Sequence, residues 1–570
     1  MSKFCRPATP FAVEQNLSEE LLDHIISFTA RDSLPALCLT SKTLNRLATP
    51  HLYANLFLKE TDDLPALAYL IFTSPAHAAL IESLNVPDTW AEPEEKFTEW
   101  SWPRAQYPAL EGVLREKCTE YTSNGQEANE LYEKIESGAN EDAILALLLA
   151  SLPDLRKLYM NFGMGNRHED FVQSWPTIMH KIRLLSESQP DATQSHALNS
   201  PQAAPTIARS SGIDVMVTTA ETKYANMPVH VAMFMHLPNL RSLYAWKMGD
   251  NESDPDPRTN PFAKLKPRSC PVEYIELRSS KLHVDNLQYV LDAAIPGKLK
   301  TFSYEIGCTW AWCSVKHSRI MASLESHHTT LKSLSLSHEA HYPYQYGNDS
   351  SQPYACSFTP FTVLERLRIA PVYVWGHDGL TEEVSLKSPT TKEILWKALP
   401  NNLVELWITR AHCQALRGND ATIGFVPECL IPALELVNQN KREAFPKLER
   451  LCIELPLMVW KTEWFDVLAS LCRSTSSNGI RSTIVLYDMF DQWGKLAVER
   501  QWGWHEDIEW EPTRYSTNRE CAKVWVDVAQ QQDLAQTLKD LRGRYEEEND
   551  KFAAAKRAGH VVHRMSVTSG

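Results

Sequence analysis

The chain has 570 residues, 43% hydrophobic and 22% charged, and its 57 basic and 71 acidic side chains leave a formal charge of -14. That balance, with no dense Lys/Arg run, argues against nucleic acid as a partner, because phosphate backbones are repelled. No run of about eighteen apolar residues occurs, and the start, MSKFCRPATPFAVEQ, lacks a signal-peptide core, so no membrane association and a cytoplasmic or nuclear location are expected.

The first predicted element follows Asn16. Leu21, Leu22, Ile25 and Phe28 fall at the spacing that lines one helical face. Asn16 or Ser18 can cap the first turn, and Glu19 and Glu20 sit where the helix dipole favours negative charge. ARDSLP then interrupts the stripe, since Asp32 or Ser33 can cap a second helix and Pro35 is tolerated only in a first turn. That helix carries Leu34, Leu37 and Leu39. After TSK a third segment carries Leu44 and Leu47, and Pro50 is expected to stop it. So small a unit, about forty residues, cannot bury all these leucines within itself, so some apolar surface is expected to meet a partner.

Leu17, Glu20, Leu21, Ile25, Phe28, Leu34, Leu37, Leu39, Ser41, Leu44 and Leu47, followed by LATPHLY at residues 47–53, resemble the F-box of fungal F-box proteins with irregular leucine-rich repeats. Ser18 stands where that family usually has Pro, and Ser41 where many members have Cys. The resemblance, assigned to residues 14–60, implies a non-catalytic subunit of an SCF-type cullin-RING ubiquitin ligase. Leu17, Glu20, Leu21, Ile25, Leu34, Leu37 and Leu44 would then contact a Skp-family adaptor, and through it a cullin scaffold. An ordinary three-helix cap on the following array needs the same leucines and no adaptor.

Residues 75–488 repeat one phrase, Leu-x-x-Leu-x-apolar. The clear copies are LPDLRKLYM from Leu152, LPNLRSLYAW from Leu237, TLKSLSL from Thr330, VLERLRI from Val363, NLVELWI from Asn402 and KLERLCI from Lys447. Weaker copies are LIESLNV from Leu80, VEYIELRSSKL from Val272, KLKTFSYEI from Lys298 and IRSTIVLYD from Ile480. From Val272 to Leu448 they return at intervals of about 27 to 45 residues, a repeat-array period. Helical patterns lie between them in DNLQYVLDAAI, IMASLESHH, KEILWKAL and FDVLASLCRS. A repeated strand and helix must stack as a parallel sheet. The expected fold is therefore α/β, a helical module followed by an irregular leucine-rich-repeat horseshoe with long insertions. A helical repeat array is the rival, but LSLS, LRIA and LWIT alternate with the two-residue period of strands. Insertions are expected near 88–142, which holds Trp90, Trp100 and Trp102, and near 186–225, where the polar SESQPDATQSHALNSPQAAPTIARSSG reads as disordered. GDNESDPDPRTNPFAKLKP and HEAHYPYQYGNDSSQPYAC are expected to be long loops. Residues 489–570 are expected to form an extension with a long polar helix and a loose tail.

Chemistry has little support. His338 and His341 of HEAH are three apart, not four as on a zinc-binding helix. GMGNRH from Gly163 lacks the third glycine of a dinucleotide loop, and neither a GxSxG elbow nor a GxxxxGK[ST] loop occurs. Glu506, Asp507 and Glu509 of WHEDIEW share one short segment, whereas glycosidic carboxylates face each other across a substrate. The twelve cysteines, Cys308 and Cys313 included, form no CxxC pair and are expected to be reduced and mostly buried. No catalytic residue, metal or cofactor is therefore assigned. What remains is a binding surface. Strand alternation points the residues between the leucines to the opposite face, namely Tyr159, Tyr244, Trp246, Glu276, Arg278, Arg368, Trp407, Thr409 and Glu454. Tyr159, Tyr244, Trp246, Arg278, Arg368 and Trp407 are the candidate contacts to a substrate protein, as exposed aromatics beside charges make binding hot spots. Neighbouring loops that cover them are the alternative. A repeat scaffold unconnected with ubiquitin is the second functional reading.

Overall fold

The computed structural model describes residues 17–58, 64–86, 109–122, 124–136, 141–161, 212–218, 229–250, 260–307, 317–338, 357–381, 389–411, 414–417, 420–423, 426–456, 460–487 and 524–557. The chain divides into two compact units, Met1–Met160 with Glu169–Asp214, and Asn161–His168 with Val215–Gly570.

The first unit opens with α1 (Glu19–Ser27), a 3-10 turn at Arg31–Ser33, α2 (Leu34–Cys38) and α3 (Lys42–Ala54). Ser41 caps α3, its Oγ accepting from the Leu44 N–H at 3.1 Å, whereas Ser18 holds the N-cap position of α1 without a side-chain cap bond. Pro50 does not stop the third helix but lies inside it. A proline there costs about 3 kcal/mol. Ala48 and Leu52 on either side pack with Ile26 and Leu34 in the module's core, and that packing holds the last turn.

Helix α3 runs directly into β1 (Asn55–Phe57), so the sheet begins within residues 14–60, ahead of the position 75 expected from the repeats. Strand β1 pairs in parallel with β2 (Ser83–Val86), and β2 with β3 (Lys157–Asn161). Parallel neighbours require crossovers. Helices Leu64–Thr73 and Pro75–Ala78 supply the first, and helices Leu110–Glu120, Gly125–Glu136 and Glu141–Ala150 the second. From residue 110 on, the stretch read as an insertion is therefore part of the fold. Leu110, Leu114, Cys118 and Ile135 are buried, and the Tyr121 hydroxyl donates to the Ala150 carbonyl at 3.0 Å. Trp90, Trp100 and Trp102 lie outside the described residues.

At the division between the units stands β4 (Ile213–Thr218), a strand within the 186–225 region expected to be an insertion. The second unit continues with β5 (Leu240–Trp246), β6 (Tyr274–Ser280), β7 (Thr301–Ile306), β8 (Ser333–His338), β9 (Arg366–Ile369) and β10 (Glu405–Ile408). A separate antiparallel hairpin follows, β11 (Gln414–Arg417) and β12 (Asp420–Ile423). The unit ends with β13 (Arg450–Pro456), β14 (Arg481–Tyr487) and β15 (Val524–Asp527). The fold is mixed α/β. Its open, mostly parallel sheet takes thirteen strands in chain order, β1 to β10 and then β13 to β15, and β15 is antiparallel to β14.

Each of the ten repeated phrases carries one of these strands. The physical reason is visible in β8, β9 and β10. Leu334 and Leu336, Leu367 and Ile369, and Leu406 and Ile408 point to one face and are buried, while Leu331, Leu364 and Leu403, just upstream, are buried at the turn into each strand. Each of the four predicted helical patterns overlaps a helix, Val284–Ala293, His317–Ser323, Pro389–Ala398 and Glu463–Ser477, and IMASLESHH runs on into a 3-10 turn at Glu325–His327. The extension after residue 488 departs from expectation in one respect: β15 precedes the long helix, which spans Leu534–Arg557.

Buried His327 is expected to make the second unit sensitive to acid. His327 is fully buried, with its Nε2 on the Leu291 carbonyl at 3.0 Å, and burial pushes its imidazole below the usual range, as it also does for His328. As pH falls, the unfolded chain takes up the proton first. The stability tied to His327 is therefore complete above about pH 6.5 and is lost as pH falls through the folded value. Thermal unfolding is expected to show a lower Tm at pH 5 than at pH 7, and His327→Gln, which cannot titrate, to shrink that difference.

Candidate functional site

Two surfaces carry chemistry, one in each unit. In the first, the apolar residues of α1 form two stripes. Leu22 and Ile26 turn inward, while Leu21, Ile25 and Phe28 turn to solvent. Ile26 packs in the core against Ala48 of α3, and beside that contact Arg46 pairs with Glu19 and His51 meets Asp23 at 2.8 Å. Glu19 and Asp23 lie one turn apart, three residues before Leu22 and Ile26, so these pairs match the roll that burial of the two apolar side chains imposes. Phe28 is 78% exposed and Leu39, at the end of α2, 88%. Seven large apolar side chains stand exposed among the described residues, and four of them lie between residues 21 and 39.

The expected adaptor contacts therefore separate. Leu21 and Ile25 are accessible, as is Glu20, whose carboxyl is held below the usual carboxylate range by its own backbone N–H and by the Ser18 hydroxyl. Leu17, Leu37 and Leu44 are half-buried, Leu37 and Leu44 against the module's core. Leu34 is corrected: it is buried in that core with Ile26 and Ala48 and presents nothing to a partner. Phe28 and Leu39 were not among the candidate contacts. The spacing of Leu21, Ile25 and Phe28, four residues and then three, was the signal for Phe28; Leu39 gave none, since its exposure follows from where α2 ends.

In the second unit the residues opposite the leucines share one sheet face, in register: Tyr244, Glu276, Ser303, Ser335, Arg368, Trp407, Cys452 and Thr483, from β5 to β14. The alternation predicts this face correctly. Its openness is corrected, because Tyr244, Arg368 and Trp407 are buried and Trp246 and Arg278 half-buried. In the first unit Tyr159 on β3 is also half-buried.

The reason is that side chains longer than the strand spacing of about 4.8 Å fold over their neighbours. The Arg368 guanidinium lies over the Trp407 ring at 4.6 Å, and the Trp525 ring meets Trp407 edge-on at 5.6 Å. Arg368 then reaches across β10 to Glu454, 3.2 Å away. Glu454 is fully buried, accepts from the Thr409 hydroxyl at 2.6 Å and lies 3.3 Å from Arg410. Arg410 donates from Nε to the His338 carbonyl at 3.0 Å and approaches Glu305 at 3.8 Å. Two arginines and two carboxylates thus close a neutral, low-dielectric network. At the other end of the row Glu276 is buried between the Tyr274 hydroxyl and Arg278, and burial with the nearby carboxylate pushes the Tyr274 phenol well above its usual range.

No protein-family model matches the chain, and no curated protein matches its sequence. Its functional assignment therefore rests on its own residues. Among the described residues no group of three or more His, Cys, Asp and Glu could hold a metal ion, and no helix is long and apolar enough to cross a membrane. Burial pushes the thiols of Cys118, Cys429 and Cys472 up to about 12. His338 ends β8 and is buried. His341, GMGNRH, WHEDIEW, Cys308 and Cys313 lie outside the described residues.

Proposed function

We propose that this chain is a non-catalytic recognition adaptor of an SCF-type ubiquitin ligase. In that reading α1–α3 are an F-box that docks a Skp-family adaptor, and through it a cullin. The strand-and-helix array is an irregular leucine-rich-repeat horseshoe that receives a substrate protein. What supports it is the exposed stripe Leu21, Ile25 and Phe28 with Leu39, above a separate core of Ile26, Leu34 and Ala48. An apolar patch on so small a module is stabilised by a partner's surface. The rival reading is a recognition scaffold outside the ubiquitin system, its helices a cap. It draws on the direct passage of α3 into β1.

Pull-down of the full chain with a purified Skp-family adaptor separates the two. The double substitution Ile25→Asp and Phe28→Asp is expected to weaken capture about thirtyfold or more, as loss of a hot-spot pair does, and to lower Tm only slightly, both side chains being exposed but placed at the end of α1, where negative charge is unfavourable. Capture of the variant at the wild-type level, or no capture of the wild type, would sink the docking reading.

A further inference from the structure

The margin of the polar sheet face carries a row of charged side chains. Arg366, Glu405, Arg450 and Arg481 stand in register across β9, β10, β13 and β14. Arg450 and Arg481 are thus directly opposed, and like charges so placed repel. Each is held by its own carboxylate, Arg450 by Glu405 at 2.7 Å and Arg481 by Asp527. The depths are unequal. The Arg450 and Arg481 side chains are 52% and 66% exposed, while Glu405 and Asp527 are only 16% and 19% exposed. Asp527 also accepts from the Ala529 N–H at 3.1 Å and from Gln530 at 3.3 Å, so its oxygens are turned to the protein. The carboxylates lie beneath and the guanidiniums above. The guanidiniums are thus the more exposed members of their pairs, in a chain whose formal charge is -14.

A second observation lies on the same face. Trp525 is exposed at 53%, opposite Val485, with its ring braced on Trp407. Val485 lies four residues beyond Arg481 on β14, about 13 Å along the strand. A rigid exposed ring beside guanidiniums with spare donors fits a segment bearing both an apolar side chain and carboxylates. Two opposed arginines are too few to hold a polyphosphate backbone against the chain's net charge.

We propose that Trp525, Arg450 and Arg481 form a docking surface for an acidic peptide segment of a partner protein, with an apolar anchor over Trp525 and carboxylates three or four residues away on the arginine pair. This rests on the reading of the array as the recognition part of the chain. It does not depend on which machinery the amino-terminal helices engage.

The test is fluorescence anisotropy with the full chain and labelled peptides of about ten residues, Gly/Ser in background, with one Phe and, three or four residues on, two Glu. Matched peptides carry Gln or Lys for Glu, or Ser for Phe. The wild type is expected to bind the Glu peptide about tenfold more tightly than the Gln peptide, a preference that fades with added salt. R450Q/R481Q is expected to lose both the preference and its salt dependence, and Trp525→Ser to weaken binding about tenfold whichever charge is present. The proposal is overturned if the wild type does not distinguish Glu from Gln, if R450Q/R481Q retains the preference, or if a single-stranded oligonucleotide binds more tightly than every acidic peptide. The wild-type comparisons need no variant to fold. No Skp-family adaptor is present in the assay, so failure here leaves docking through Ile25 and Phe28 intact, and failure of that docking leaves this result intact.

Discussion

Glu454→Ala is expected to destabilise the second unit by about 3–5 kcal/mol, the range for removing one partner of a buried ion network. The carboxylate is fully buried, and it is what Arg368 and Arg410 share. Without it two cations are left with Glu305, 3.8 Å from Arg410, as the acid given to the network. The Thr409 hydroxyl loses its acceptor as well. The coupling supplies the sharper test. Arg368→Met added to Glu454→Ala removes one uncompensated charge, so the double variant is expected to be more stable than the sum of the two single losses. Urea unfolding followed by tryptophan emission measures this directly, because Trp407 stacks under Arg368 and against Trp525. Strict additivity would mean that Arg368 and Glu454 do not act as a pair.

Gly307→Ala is expected to cost about 3 kcal/mol, the upper end for overpacking. A Cβ at Gly307 would sit 2.3 Å from the Cα of Ser279, which is backbone and cannot swing aside. Ser279 is itself in the left-handed region, φ 52°, at the end of β6, and the pairing of β6 with β7 shifts register between Leu277 and Ser280. Glycine is required by the close approach of the two strand ends. Gly543, inside the helix Leu534–Arg557, is the control: nothing lies within 4 Å of its would-be Cβ. Gly543→Ala should stabilise by up to about 1 kcal/mol, by helix propensity alone. Chemical denaturation should therefore show opposite signs for the two substitutions.

The strands of the repeats were legible because their signal is local. Leu334 with Leu336, or Leu406 with Ile408, specify a strand buried on one face within three residues, and the intervening Ser335 or Trp407 necessarily lies on the other. The helices between them were legible for the same reason, and the parallel sheet followed from the alternation. Strands β1, β4 and β15 were not. β1 has three residues and acquires strand character by pairing with β2, and β15 by pairing with β14, in each case across a long span of sequence. Pro50 was read by its local rule, which packing of Ala48 and Leu52 overrode.

The amino acids alone determined that α1 would carry more apolar surface than a three-helix module can hide, and which residues share each face of the sheet. Which stripe of α1 stays exposed was decided by packing against other helices, which buries Leu22 and Ile26, the latter with Leu34 and Ala48. That Arg368, Trp407 and Glu454 close over one another was decided by strands far apart in sequence becoming neighbours, so that long side chains meet across about 5 to 10 Å. Periodicity is written along the chain, whereas exposure depends on what the rest of the chain brings alongside.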